Sequence, residues 1–232
     1  MKTKLTVLIL AMLMSAVAPA MAGDVTGKVN FTGTAPEMAV LDMNADPYCA
    51  GANAEPVKSE EVVANANGTL KNVFVYVKSG LEGKTFETPA APGIIDQKGC
   101  HYSPHVQGLM VNQPLQIINS DTTLHNVHGM PKETPEFNLG MPIQGMKLDH
   151  KFDKPEVMVK FKCDVHPWMF AYVGVLTHPF YAVSGEDGSF KISNLPAGKY
   201  TLEAWHEKYG TLTQEVTVEE AAPAAVDFTF AG

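Results

Sequence analysis

Phe161-Lys-Cys163-Asp-Val-His166-Pro-Trp-Met169-Phe-Ala-Tyr-Val-Gly-Val-Leu176 is the stretch on which the reading of this chain turns. An alternating apolar run enters at Cys163. A short loop with Pro167 carries His166 and Met169, and a β-branched, aromatic run leaves toward Leu176. Strand, loop and strand thus put a thiol, an imidazole and a thioether on one turn. Singly, each residue has an ordinary use. A lone Cys is a small buried hydrophobe, a lone Met fills core space, and His-Pro makes a turn. Their joint order at one strand–loop–strand junction is the informative feature.

A metal that cycles between Cu(I) and Cu(II) is suited by one thiolate, two imidazoles and a weak axial thioether. The loop offers three of these groups. The second imidazole must come from elsewhere, and Leu124-His125-Asn126-Val127-His128 offers it, just after the strand-like Leu115-Gln-Ile-Ile-Asn119. With both motifs in hand, Val106 to Leu176 resembles the cupredoxins, type 1 copper proteins of the amicyanin and plastocyanin kind. Amicyanin-type sequences carry a His-Asn-Val-His segment and a later Cys-x-x-His-Pro-x-Met loop, in that order. The resemblance implies one type 1 copper ion held by His125, Cys163, His166 and Met169, and a role in electron transfer. His128 competes with His125, because alternation sends residues 125 and 127 one way and 126 and 128 the other. The family register favours His125. Asn126 would then tie the two ligand loops together by hydrogen bonds. In cupredoxins the ligand loop forms an apolar patch over the exposed edge of the second histidine. Trp168 and Phe170 either contribute to such a docking patch or pack inward.

Further out, helical periodicity is nearly absent. Short alternating runs recur between Gly, Pro, Asn and Asp: 25–31, 70–78, 106–111, 114–119, 147–152, 157–162, 171–176, 189–193, 199–206, 211–218 and 226–230. The expected class is all-β, a sandwich or barrel. Residues 46–68 are small and polar, with a short helix or none. Residues 82–99, with two Pro and three Gly, read as a connection. The C-terminal run from Gly185 to His206 has two tight turns, at Asp187-Gly188 and at Leu195-Pro-Ala-Gly198. It resembles carboxypeptidase regulatory-like modules of transthyretin-type topology. The first half of such a module is missing nearby. It is found at the N-terminus instead, as Gly23-Asp-Val-Thr-Gly-Lys-Val with Asn72-Val-Phe-Val-Tyr-Val. The expected organisation is a discontinuous transthyretin-like sandwich, 23–88 with 179–232, carrying an inserted Greek-key cupredoxin domain at 89–178. Two consecutive domains are the alternative.

Residues 1–22 read as a secretory signal: Lys2 and Lys4, an apolar run, then Ala20-Met-Ala22. An exported, periplasmic protein without a membrane anchor is expected. The formal charge is −8, and all 17 basic residues are Lys. An acidic surface without Arg argues against nucleic acid as a partner. It suits a basic partner such as a cytochrome, and the electron-transfer role that the resemblance implies calls for a redox partner protein, a cytochrome or an oxidase or dehydrogenase. Of three Cys, Cys49 and Cys100 sit at segment edges and are expected to form a disulfide, leaving Cys163 free. The alternative for Cys100 is a second metal site with His101 and His105. Met130, Met141 and Met146 either anchor their loop or capture Cu(I). Three functions stand: an electron carrier that is not an enzyme, a periplasmic copper chaperone or store, and a structural module with a vestigial site.

Overall fold

The computed structural model describes residues 22–220 and 222–232. The expected leader therefore lies outside the described residues, apart from Ala22, which pairs with Pro196. Among the described residues no helix is long and apolar enough to cross a membrane.

The architecture is all-β, as expected. In chain order the first strands are β1 (Ala22–Thr32), β2 (Phe74–Ser79), β3 (Gly93–Gln97), β4 (Tyr102–Ser103), β5 (Val106–Met110) and β6 (Leu115–Asn119). Next come β7 (His125–Met130), β8 (Phe137–Met141), β9 (Lys147–His150), β10 (Glu156–Lys162), β11 (Phe170–Leu176) and β12 (Tyr181–Val183). The last are β13 (Ser189–Pro196), β14 (Gly198–His206), β15 (Gly210–Val218), β16 (Ala224–Ala225) and β17 (Phe228–Ala231). One short helix, α1 (Pro47–Gly51), interrupts the polar excursion after β1. Asp46 caps it: Oδ1 accepts from the backbone N–H of Tyr48 and Cys49. Pro47 costs nothing in the first turn, where its missing N–H would have no partner.

The two ends of the chain meet in one sandwich. β1 pairs antiparallel with β13 and parallel with β17. The facing sheet runs β12-β2-β14-β15. In β13, Phe190 and Ile192 turn inward while Ser189 and Lys191 stay exposed, the period of a half-buried strand. Val25, Val29, Val75, Leu202, Phe190, Ile192 and Phe228 close the core between the sheets. Each such buried side chain is worth about 1.5–3 kcal/mol relative to exposure.

A second pair of sheets, β5-β11-β10-β7-β8 and β4-β3-β6-β9, encloses Ile95, Leu115, Ile117, Val127, Phe161 and Val173. Here β3 is a strand where the Pro and Gly of 82–99 suggested only a connection. The connection stops at Gly93, and β3 pairs in parallel with β6 through the β-branched Ile94 and Ile95. Phe74, Tyr76, Val106 and Leu176 form a third cluster that links the two cores. Gly108 and Gly174 belong to that junction: a Cβ on Gly108 would lie 2.4 Å from the Tyr181 ring, and one on Gly174 2.5 Å from Phe74. The excursion around α1 does not stay with the first core. Met43 and Cys49 are buried in the second, against the loop that carries His166.

Candidate metal centre

β10 delivers Cys163 and β7 delivers His125, because the two strands are neighbours in register, with Phe161 opposite Gly129 and Lys162 opposite His128. The loop after β10 is closed by its own backbone. The Cys163 N–H donates to the Met169 carbonyl at 3.1 Å, and the Met169 N–H donates to the His166 carbonyl at 2.9 Å. His166 is thereby turned back toward Cys163. Its Nδ1 lies 2.9 Å from Nδ1 of His125 and 3.9 Å from the Cys163 sulfur. The ligand-capable atoms of His125, Cys163 and His166 all lie within 4.8 Å of one another. All three residues are buried, and Met169 is buried in the same core. His128 points outward, to Asp164 at 2.8 Å and Glu136 at 2.5 Å, so the structure does not bring it to the cluster.

Asn126 ties the two ligand segments. Its Oδ1 accepts from the backbone N–H of Asp164 at 2.6 Å and of Val165 at 3.3 Å, and lies 3.2 Å from the Cys163 sulfur. The sulfur also accepts from the His166 N–H at 3.3 Å. Burial pushes the Cys163 thiol up, but hydrogen bonding from His125 and from the backbone of Asn126, His166 and Val165 outweighs it. The thiol is held below its ordinary value. The shift is toward the thiolate, the form that ligates a metal.

The outer nitrogens are taken by carboxylates. His125 Nε2 donates to Asp121 Oδ2 at 2.9 Å, and His166 Nε2 to Asp46 Oδ2 at 3.1 Å. Asp121 is itself buried; its carboxylate accepts from the N–H of Gly99 and Cys100 and from the Tyr48 hydroxyl. Burial alone would raise its carboxyl, yet these bonds and His125 hold it at about 2. Asp46 also stands at about 2, through the Thr123 hydroxyl first, with burial opposing and His166 and the helix N–H groups adding. Burial lowers His125, but Asp121 and the Cys163 thiolate reverse this and raise it to about 9. His166 stays below its ordinary value, with burial the main cause. With a carboxylate on each Nε2, both Nδ1 atoms face inward beside the sulfur, where a bound metal ion would take the place of the inward proton of His125. One soft thiolate with two inward imidazole nitrogens is a donor set that fits copper.

Of the two readings of the loop's aromatic residues, Trp168 takes the inward one. The edge of His166 is not an exposed patch: the residue is only 2% exposed. Asp46 and Cys49 cover it, with the Cys49 sulfur 3.7 Å from Nε2. Trp168 tilts over the ring at 5.0 Å, and its Nε1 donates to the Cys100 carbonyl at 2.9 Å. Cys49 and Cys100 form a disulfide that fastens this cover. Cys100 is thus not available to His101, and His105 turns away to Glu207, at 2.5 Å across the junction between the sandwiches. The methionines do not act together either; Met141 fills core space while Met130 is exposed. Sequence reasoning missed Asp46 and Asp121. The signals were present: a helix-capping Asp before Pro47, and an Asp four residues ahead of His125.

Known proteins resemble parts of the chain. The carboxypeptidase regulatory-like domain family matches residues 167–231. No curated protein matches in sequence. Among solved structures, a Cu-containing nitrite reductase from Thermus scotoductus is similar at 20% identity and a TM-score of 0.34. That match covers 42% of this chain and only 24% of the reductase. A purple cupredoxin from Nitrosopumilus maritimus is similar at 22% identity over 36% of this chain and 98% of its own, with a TM-score of 0.31. A mutant of amicyanin in its Cu(I) form shares 20% identity over 44% of this chain and 97% of its own, with a TM-score of 0.33. The chain is thus similar both to a carboxypeptidase regulatory-like module and to cupredoxins.

Proposed function

We propose that this protein is an exported type 1 copper protein that carries electrons. The observation that carries the reading is the buried meeting of His125 Nδ1, His166 Nδ1 and the Cys163 sulfur, with that thiol biased toward its thiolate. His125, Cys163, His166 and Met169 would hold the ion. Bound there, copper would supply one-electron exchange between Cu(I) and Cu(II). The surrounding residues fix the ligands in advance: Asn126 holds the loop, and two carboxylates hold the imidazoles. A site held this firmly changes charge with little movement, which favours fast exchange. Four protein ligands leave no coordination place for a substrate, so the reading is a carrier and not an enzyme.

The domain reading belongs to the same proposal: 23–88 with 179–232 as one discontinuous unit, and 89–178 as the copper-bearing insertion. The pairing of β1 with β13 and β17 supports it. The partner is a redox protein in the periplasm. Copper loading with absorption and electron paramagnetic resonance spectra tests the reading. The expected result is a Cu(II)–thiolate charge-transfer band that Cys163→Ser removes together with the copper. Equal copper content in variant and wild type would sink it. A colourless protein that holds only Cu(I) would point to copper storage.

A further inference from the structure

The polar excursion after β1 acts as a strap across the outer face of the metal cluster, and it puts one carboxylate in a particular place. Asp46 divides its two oxygens. Oδ1 caps α1 through the Tyr48 and Cys49 N–H groups. Oδ2 accepts from the Thr123 hydroxyl at 2.7 Å and faces His166 Nε2 at 3.1 Å. Thr123 lies two residues before His125, so one carboxylate oxygen spans both imidazole-bearing segments. The disulfide from Cys49 to Cys100 and the bond from Tyr48 to Asp121 hold the strap down on either side.

Resting on the copper reading above, we infer that Asp46 is a positioning residue for His166. It accepts the Nε2 proton, keeps Nδ1 bare toward the metal, and biases the centre toward the oxidised ion. The physical reason has two parts. A carboxylate fixes tautomer and ring orientation and raises the basicity of a metal-binding imidazole. A negative charge near a buried ion also stabilises the higher of its two charges, strongly where water is excluded. His125 has the same kind of partner in Asp121. The strap therefore completes a pair of carboxylate-buttressed imidazoles, one carboxylate from within the copper unit and the other from the excursion.

Asp46→Asn isolates the effect. Asn is as good a helix cap as Asp, so Oδ1 keeps its bonds and α1 is kept. The amide NH₂ replaces Oδ2 and meets the His166 N–H donor to donor. The expected result is a retained charge-transfer band with the Cu(II)/Cu(I) preference shifted at least tenfold toward Cu(I), a rise in midpoint potential of 59 mV. Asp46→Glu should recover part of the shift. In the diamagnetic Cu(I) wild type, nitrogen-15 NMR should find His166 with its proton on Nε2, protected from solvent exchange. That measurement decides the matter if the Asn variant fails to fold. A wild type with the charge-transfer band, an unmoved potential in the variant and a freely exchanging His166 proton would overturn the inference and leave the copper reading standing. A wild type without the band would remove both.

Discussion

Asn126 holds the backbone of Asp164 across two strands, with its Oδ1 2.6 Å from the Asp164 nitrogen. The bond joins the end of one ligand segment to the start of the other, next to the sulfur that both surround. Truncation at Asn126 should therefore act on the metal more than on the fold. Asn126→Ala removes the acceptor for Asp164 and Val165 and should cost about 2 kcal/mol of stability. Copper loss to a strong Cu(I) chelator should quicken by about tenfold or more, the usual scale for a lost outer hydrogen bond at a metal ligand. Stopped-flow transfer to the chelator measures this. An unchanged off-rate would mean that the loop keeps its shape without Asn126.

The disulfide supports a second prediction. Cys49 and Cys100 lie 51 residues apart, so their bond closes a long loop. On the chain-entropy account its removal should cost about 4 kcal/mol. Cys49→Ser with Cys100→Ser should lower the urea midpoint of the protein accordingly. It should also free the strap over His166, so that diethyl pyrocarbonate modifies His166 in the metal-free variant much faster than in the metal-free wild type. Peptide mapping reads the modified site. Equal reactivity in the two proteins would show that Asp46 and Tyr48 keep the cover in place unaided.

Local pattern carried most of what could be read ahead of the structure. The strands announced themselves wherever apolar residues alternate between turn signals, as in β13 and β14, and the meeting of His125, Cys163 and His166 was legible because their order and spacing are unusual. Alternation set His125 and His128 on opposite faces, the family register chose His125, and the structure sends His128 to Asp164 and Glu136. Contacts remote in sequence were not legible. Asp46 lies 120 positions from His166, and nothing local says that a small polar excursion will fold across a distant loop. The same holds for the cover on the His166 edge, where the choice between a docking patch and inward packing stood open. β3 was lost for a different reason. Pro89 and Pro92 belong to the connection before it, Gly93 opens it and Gly99 follows it, and five residues are too few to show a period against that background.

Acid should weaken the sandwich formed by the chain ends, and His206 is the main reason. The ring is buried beside Tyr209 and Phe230. Its Nδ1 accepts from the backbone N–H of Lys208 at 3.1 Å and of Tyr209 at 3.4 Å. Protonation of Nδ1 would turn that acceptor into a donor facing two donors. Burial is the largest influence and lowers the imidazole to about 4; Glu61 opposes, while the charges of His105 and Lys208 add to the lowering. His178 is lowered too, by burial, and its Nδ1 likewise accepts from the Phe180 N–H. The sign follows from linkage. A group depressed in the folded state binds fewer protons there than in the unfolded chain, so its stabilisation is complete above the unfolded value of 6.5 and disappears as pH falls toward 4. Each unit of depression corresponds to about 1.4 kcal/mol, so His206 alone accounts for a loss of about 3 kcal/mol across that window. Urea unfolding at a series of pH values should show stability falling steeply below pH 6.5. His206→Asn keeps an acceptor for the two N–H groups but cannot take up a proton, so its profile should be flatter by about one proton. If the variant's slope matches the wild type between those limits, His206 does not titrate with unfolding and the acid sensitivity lies elsewhere.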